Sequence, residues 1–251
     1  MQRWDSHRSS RSGRWAAAMA GAAAAVLAGI LAAGLPGAAR AQEPPPPRWQ
    51  LGGSLILGVP AGEFKNNVGD GGGIVGRALW RPGQSRWLKL QLDAGVLIYG
   101  AQTQVFTLDT GVGLARAEFQ TTNSIAMFSV GPRIEPPSGT LRPHLDLGVG
   151  LGYFFTQSSL NGYGAYDQFS TTDMSSAALS WSVGGGLALH LAGAERPVLL
   201  DLSVLHRSHG QVQYLPRGGI TDNGDGTVTY HPAESKADLV LVELGVTFGL
   251  K

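Results

Sequence analysis

Eight times along this chain, every second residue is apolar. In "RPHLDLGVGLGYFF" (142–155), Leu145, Leu147, Val149, Leu151, Tyr153 and Phe155 form one series, and Arg142, His144, Asp146, Gly148, Gly150 and Gly152 form the other. Successive side chains on a strand point to opposite faces, so such a segment is a strand with one apolar face and one that is charged and then bare. The same alternation recurs near 49–59, 72–81, 86–99, 121–135, 177–191, 197–207 and 237–249, and this strand itself spans about 141–156. No helical period of useful length appears after Pro47.

The connections alternate in kind. "PGQS", "PPSGT" and "AGAE" are tight turns, whereas 61–71, 100–120, 157–176 and 208–236 are long and rich in Gly, Asn, Asp, Ser and Thr. Short turns at one end and long polar loops at the other predict an all-β, eight-stranded, antiparallel up-and-down transmembrane barrel, with turns in the periplasm and loops outside. A soluble barrel would turn a Lys- and Glu-rich face to water. Here the polar faces are mostly Gly and Ser, which suits a crowded lumen, and charged residues are only 15% of the chain.

The first 41 residues differ from the rest. Arg3, Arg8, Arg11 and Arg14 precede the apolar run "WAAAMAGAAAAVLAGILAAGL", and Ala39-Arg40-Ala41 is a small-x-small cleavage site, so 1–41 reads as a secretory signal peptide cut after Ala41. Five of the 19 basic residues and one of the 18 acidic residues lie there, which leaves 14 against 17, a net charge of −3. Residues 42–48, with "EPPPP", form a stiff lead-in, and 49–251 the barrel. With no cysteine, no basic cluster outside the N-terminus and no phosphate- or zinc-binding motif, neither a metal site, a cofactor nor a nucleic-acid partner is expected.

Parity assigns the side chains. Arg77, Lys89, Asp93, Arg133, Glu135, Arg142, His144, Asp146, His190, Asp201 and Glu243 are expected in the periplasmic half of the lumen, paired as a plug because lone buried charges are costly. Above them, Gly148, Gly150, Gly152 and 184–186 are expected to leave a narrower, emptier lumen or to let the strands coil sharply. Trp49, Trp80, Trp87 and Phe248 at the periplasmic rim, and Tyr99, Tyr153 and Phe155 at the outer rim, are read as aromatic girdles.

The signal peptide, the eight alternating segments, the turn–loop asymmetry and the last strand "VELGVTFGLK" resemble the small outer-membrane barrels of Gram-negative bacteria, the membrane domain of outer-membrane protein A and its eight-stranded relatives. In that class the last strand usually finishes on an aromatic read by the assembly machinery; here Gly249, Leu250 and Lys251 follow Phe248. The resemblance implies a Gram-negative outer membrane, with its lipid and lipopolysaccharide and the barrel-assembly machinery as partners. It implies no particular activity.

Two motifs remain. In "LHRSHG" (205–210), His206 and Ser208 point outward at the outer rim, which resembles the lipid A deacylase barrels. A serine hydroxyl needs a base to take its proton and a carboxylate to orient that base, for which Asp238 and Glu234 are the candidates. In that family Asn typically follows the serine; here His209 does. "DNGDG" (222–226) fails the calcium-loop pattern, because glycines occupy its third and fifth positions, and reads instead as a hairpin tip with "GIT" and "TVTYH" as legs. A non-enzymatic structural or surface-interaction role is therefore expected, with an extracellular ligand at the loops. The alternatives are a lipid A hydrolase using His206, Ser208 and Asp238, and a small channel or hydrophobic-solute conduit.

Overall fold

The computed structural model describes residues 47–83, 85–109, 114–162, 168–193, 196–216, 219–222 and 228–250. The expected signal peptide, most of the expected lead-in, residues 223–226 of "DNGDG" and Lys251 lie outside the described residues. Eight strands close a barrel: β1 (Trp49–Ala61), β2 (Gly71–Trp80), β3 (Leu88–Asp109), β4 (Leu114–Ile134), β5 (Leu141–Gly162), β6 (Gln168–Ala192), β7 (Val198–Tyr214) and β10 (Ala233–Leu250). Between β7 and β10, β8 (Ile220–Asp222) and β9 (Val228–Tyr230) pair as a separate two-stranded ribbon, the hairpin expected around "DNGDG".

Every neighbouring pair is antiparallel, and β1 pairs with both β2 and β10, so the ladder has no edge through the barrel wall. Closure satisfies the backbone polar groups that lipid cannot. At the turn end, Gly83, Gly139 and Gly193 reverse the chain at φ of 53°, 113° and 81°, a region that disfavours a side chain. At the other end the strands outrun the apolar alternation. Pairing of β3 with β4 continues to Asp109↔Leu114, and that of β5 with β6 to Asn161↔Gln168. The second and third long connections are thus mostly ladder. Thr- and Ser-rich sequence propagates a strand once a hairpin partner is in register. β4 also pairs with β5 up to Ala117↔Gly162, so β3 to β6 form a four-stranded sheet standing beyond the rest of the rim.

The outward faces are apolar and exposed, the reverse of a protein bathed in water. Leu55, Ile74, Val149 and Leu179 are each more than 60% exposed. Outward positions in the middle of the wall, such as Leu90, Leu92, Val96, Phe128, Val130, Leu147, Val183, Leu202 and Leu244, carry no charge. Such a belt is stable only against hydrocarbon, and the molecule is a transmembrane barrel. At the turn end Trp49 and Trp80 lie with ring centroids 6.1 Å apart, and Trp87 and Phe248 are exposed beside the same rim. At the loop end Tyr153 and Phe155 stack at 5.7 Å. Tyr99 departs from its expected place in the outer girdle. It belongs to the odd-numbered inward series of β3, with Lys89, Gln91 and Asp93, and is only 3% exposed.

The lumen has two storeys. Charged residues fill the half nearest the turns. The half nearest the loops holds an apolar cluster that includes Ile56, Val75, Leu97, Ile125, Met127, Phe154, Leu239 and Leu241, capped by Phe64. Phe64 lies on a short 3-10 turn (Phe64–Asn66) in the first loop, which folds back into the barrel mouth. The expectation of an emptier upper lumen is therefore corrected: the glycines make room for large neighbours. A Cβ on Gly152 would meet the His209 ring, and one on Gly58 would lie 2.7 Å from Leu97.

Candidate functional site

The charged storey is built from positions up to seven residues above the turn ends of the strands, where the tilt of the strands brings distant segments to one level. Arg133 on β4 is its centre. Its Nε donates to Asp146 Oδ1 at 2.7 Å, its Nη2 to Asp146 Oδ2 at 3.2 Å, and its Nη1 to Asp201 Oδ2 at 3.1 Å. Glu135 Oε2 lies 3.9 Å from Nη1. The planar guanidinium suits this role because its fork meets a carboxylate through two bonds at once. The His144 ring sits between the same two carboxylates, 3.1 Å from Asp146 and 3.4 Å from Asp201.

A second centre forms on Arg77 of β2. It donates to Asp93 at 2.8 Å and to Glu243 at 2.7 Å, and stands 3.7 Å from Asp201, which joins the two centres. Lys89 Nζ bridges Glu135 at 2.7 Å and Gln50 Oε1 at 2.9 Å. Ser203 donates to Asp201 at 2.6 Å, and Gln91 to Asp93 at 2.5 Å. Seven strands, or residues at their ends, contribute to this network. The exception is β6, which presents glycine: a Cβ on Gly186 would lie 2.7 Å from His144 Nε2.

Two residues expected in this set lie apart from it. Arg142 is buried but turns its Nε to the Gly139 carbonyl at 2.9 Å. His190 faces the Gly193 carbonyl at 3.1 Å, in the exposed β6–β7 turn. A register shift between His190 and Ala192 loosens the ladder there. Conversely, Arg81 and Arg207 are buried without being among the charges expected in the lumen. Arg207 follows His206, whose outward assignment already required an inward Arg207; that parity was the available signal. It donates to Ser129 Oγ at 2.9 Å.

At the loop-end rim, His206, Ser208 and Asp238 are half-buried on the outward face. Ser208 and Asp238 are direct ladder partners, and the Ser208 hydroxyl donates to Asp238 Oδ1 at 2.6 Å. The His206 ring packs edge-on against Trp181, centroids 5.5 Å apart. Glu234 stands further out and accepts from Gln213 at 3.5 Å. His209, next to Ser208, points the other way, its Nδ1 donating to the Ala237 carbonyl at 2.9 Å in the lumen. No group of three or more His, Cys, Asp or Glu able to hold a metal ion occurs among the described residues.

The closed ladder, the uncharged outward belt and the ion-paired lumen define the class: a small eight-stranded transmembrane β-barrel. Three solved outer-membrane proteins align with it. Neisserial surface protein A is 12% identical, covering 80% of this chain and 97% of that one at a TM-score of 0.35. Ail, the attachment invasion locus protein of Yersinia pestis, is 10% identical, covering 80% and 96% at 0.36. OprG from Pseudomonas aeruginosa is 11% identical, covering 84% and 99% at 0.38. No protein-family profile and no curated protein sequence matches the chain.

Proposed function

We propose that this protein is a closed structural barrel of the Gram-negative outer membrane that displays its long hairpins at the cell surface for interaction. The observation that carries the reading is the filled lumen. Below, the Arg133 and Arg77 centres act as a polar plug across the barrel. Above, Phe64 closes the mouth with no exposed surface. An eight-stranded lumen is just wide enough for side chains to fill, and a wall so filled gives solutes no continuous path. The signal peptide supports export, and the belt supports contact with lipid and lipopolysaccharide after insertion by the barrel-assembly machinery.

The surface role rests on the four-stranded sheet. Pairing of β2 with β3 stops at Gly72↔Ile98, and that of β6 with β7 at Ser180↔His209. Beyond those points the two margins of the sheet have ladder partners on one side only. Neither 100–109 nor 168–179 contains Lys or Pro, the residues that usually guard an open edge. Open edges offer backbone N–H and C=O groups to an extended ligand segment.

Planar-bilayer recording of the refolded barrel tests the closed lumen. Protein whose folding is verified by a gel-mobility shift between unboiled and boiled samples is expected to give a silent bilayer. Stepwise conductance from such protein would replace this reading with the channel alternative.

A further inference from the structure

Phe64 is placed as a bound ligand would be. Its phenyl ring is 0% exposed, yet it hangs from a three-residue turn rather than from the barrel wall. Three rings from three different strands surround it. Tyr214 meets it edge-on at 4.9 Å, Phe154 edge-on at 6.2 Å, and Tyr99 lies tilted at 5.5 Å. Edge-to-face contacts of this kind fix the orientation of an aromatic guest.

Besides Phe64, the loop places Val68 in the apolar cluster, and its polar attachment is slight. Its internal backbone bonds run from Asn66 to Glu63 and from Asn67 and Val68 to Phe64. Among the described residues, one side-chain hydrogen bond ties this loop to the wall, from Asn67 Nδ2 to the Tyr214 hydroxyl at 2.8 Å.

One feature of the wall is unexplained by Phe64. The Tyr99 hydroxyl is buried in the same cluster and has no hydrogen-bond partner. Buried tyrosine hydroxyls nearly always find one, and a phenyl ring cannot supply it. His209, whose ring edge meets Phe154 at 5.2 Å, likewise leaves its Nε2 unpartnered. The storey is thus aromatic in shape and has polar atoms that its resident ring does not satisfy.

We infer that the loop-end storey is a binding site for a small, single-ring aromatic molecule bearing one hydroxyl or carbonyl group, and that Phe64 is the internal occupant such a molecule displaces. The guest takes the slot between Tyr99, Phe154 and Tyr214, and its polar group pairs with the Tyr99 hydroxyl. Displacement swings the turn outward and frees the backbone after Lys65, whose side chain is already at the surface, for entry into a protease active site. This goes beyond the surface role proposed above and holds whether or not the hairpins have a partner.

The test uses the refolded full barrel in lipid nanodiscs, with p-cresol as probe and cyclohexanol as a non-aromatic control that partitions into lipid. The rate of tryptic cleavage after Lys65 is expected to rise saturably with p-cresol and not with cyclohexanol. Tyr99→Phe shifts the midpoint of that rise to higher p-cresol. In Phe64→Ala the slot is vacant, so p-cresol raises resistance to urea unfolding at concentrations at least about tenfold lower than those that act on the wild type. The gel-mobility shift verifies folding of each variant. A cleavage rate unchanged by p-cresol up to its solubility, or raised equally by cyclohexanol, overturns the inference. So does a Phe64→Ala barrel that folds and gains no stability from p-cresol.

Discussion

The Ser208 hydroxyl donates to the Asp238 carboxylate directly across the β7–β10 ladder, at 2.6 Å. A serine nucleophile gives its proton to a base, usually histidine, but here the hydroxyl points its proton at a carboxylate while His206 packs against Trp181. Lipid A incubated with the folded barrel is therefore expected to keep all its acyl chains by mass spectrometry, with wild type and Ser208→Ala alike. Loss of one chain with wild type alone would establish the hydrolase alternative. Ser208→Ala should cost about 1 kcal/mol of stability for the lost bond.

Arg133 holds two carboxylates by hydrogen bonds and stands near a third, so its removal strips Asp146 of its guanidinium partner and leaves Asp201 with only Arg77, 3.7 Å away, as a fixed cation in a buried site. Arg133→Met should destabilise the barrel by about 3–5 kcal/mol, read as a lower urea midpoint in lipid vesicles. Adding Asp146→Asn should recover part of that loss, because the pair is coupled. An unchanged midpoint in the single variant would show that the ion pairs contribute little beyond filling space.

Two glycines in strands make opposite predictions. A Cβ on Gly150 would run into the Phe128 carbonyl of the neighbouring strand, whereas one on Gly72 meets nothing within 4 Å. Gly150→Ala should cost about 1–3 kcal/mol as strands β4 and β5 are pushed apart. Gly72→Ala should be neutral or stabilising by up to about 1 kcal/mol, because the unfolded chain loses freedom. Equal effects at both sites would contradict the strand spacing described above.

An epitope tag inserted between Asp109 and Leu114, at the tip of the β3–β4 hairpin, is expected to bind antibody on intact cells. The same tag placed at Gly83, in the β2–β3 turn, should bind only after the outer membrane is permeabilised. The reverse pattern would invert the orientation of the barrel.

Alternation determined the strand number and the face of nearly every residue in the wall, because period two is a local property that each strand carries alone, and the short turns between strands pointed to the antiparallel order. It placed Arg77, Lys89, Asp93, Arg133, Asp146, Asp201 and Glu243 inside, and the same parity, read one residue further, places Tyr99 and Arg207 there too. What no single strand carries is its height relative to the others. Arg77 meets Glu243, 166 residues away, and Arg133 meets Asp201, 68 residues away, only because the registers of the intervening ladders add up to one level. The departures of Arg142 and His190 are settled by turn geometry that periodicity does not describe. Phe64 is the clearest case. It lies in a polar loop, outside any periodic segment, and its burial follows from a space at the barrel mouth that exists only once β3, β5 and β7 have closed around it.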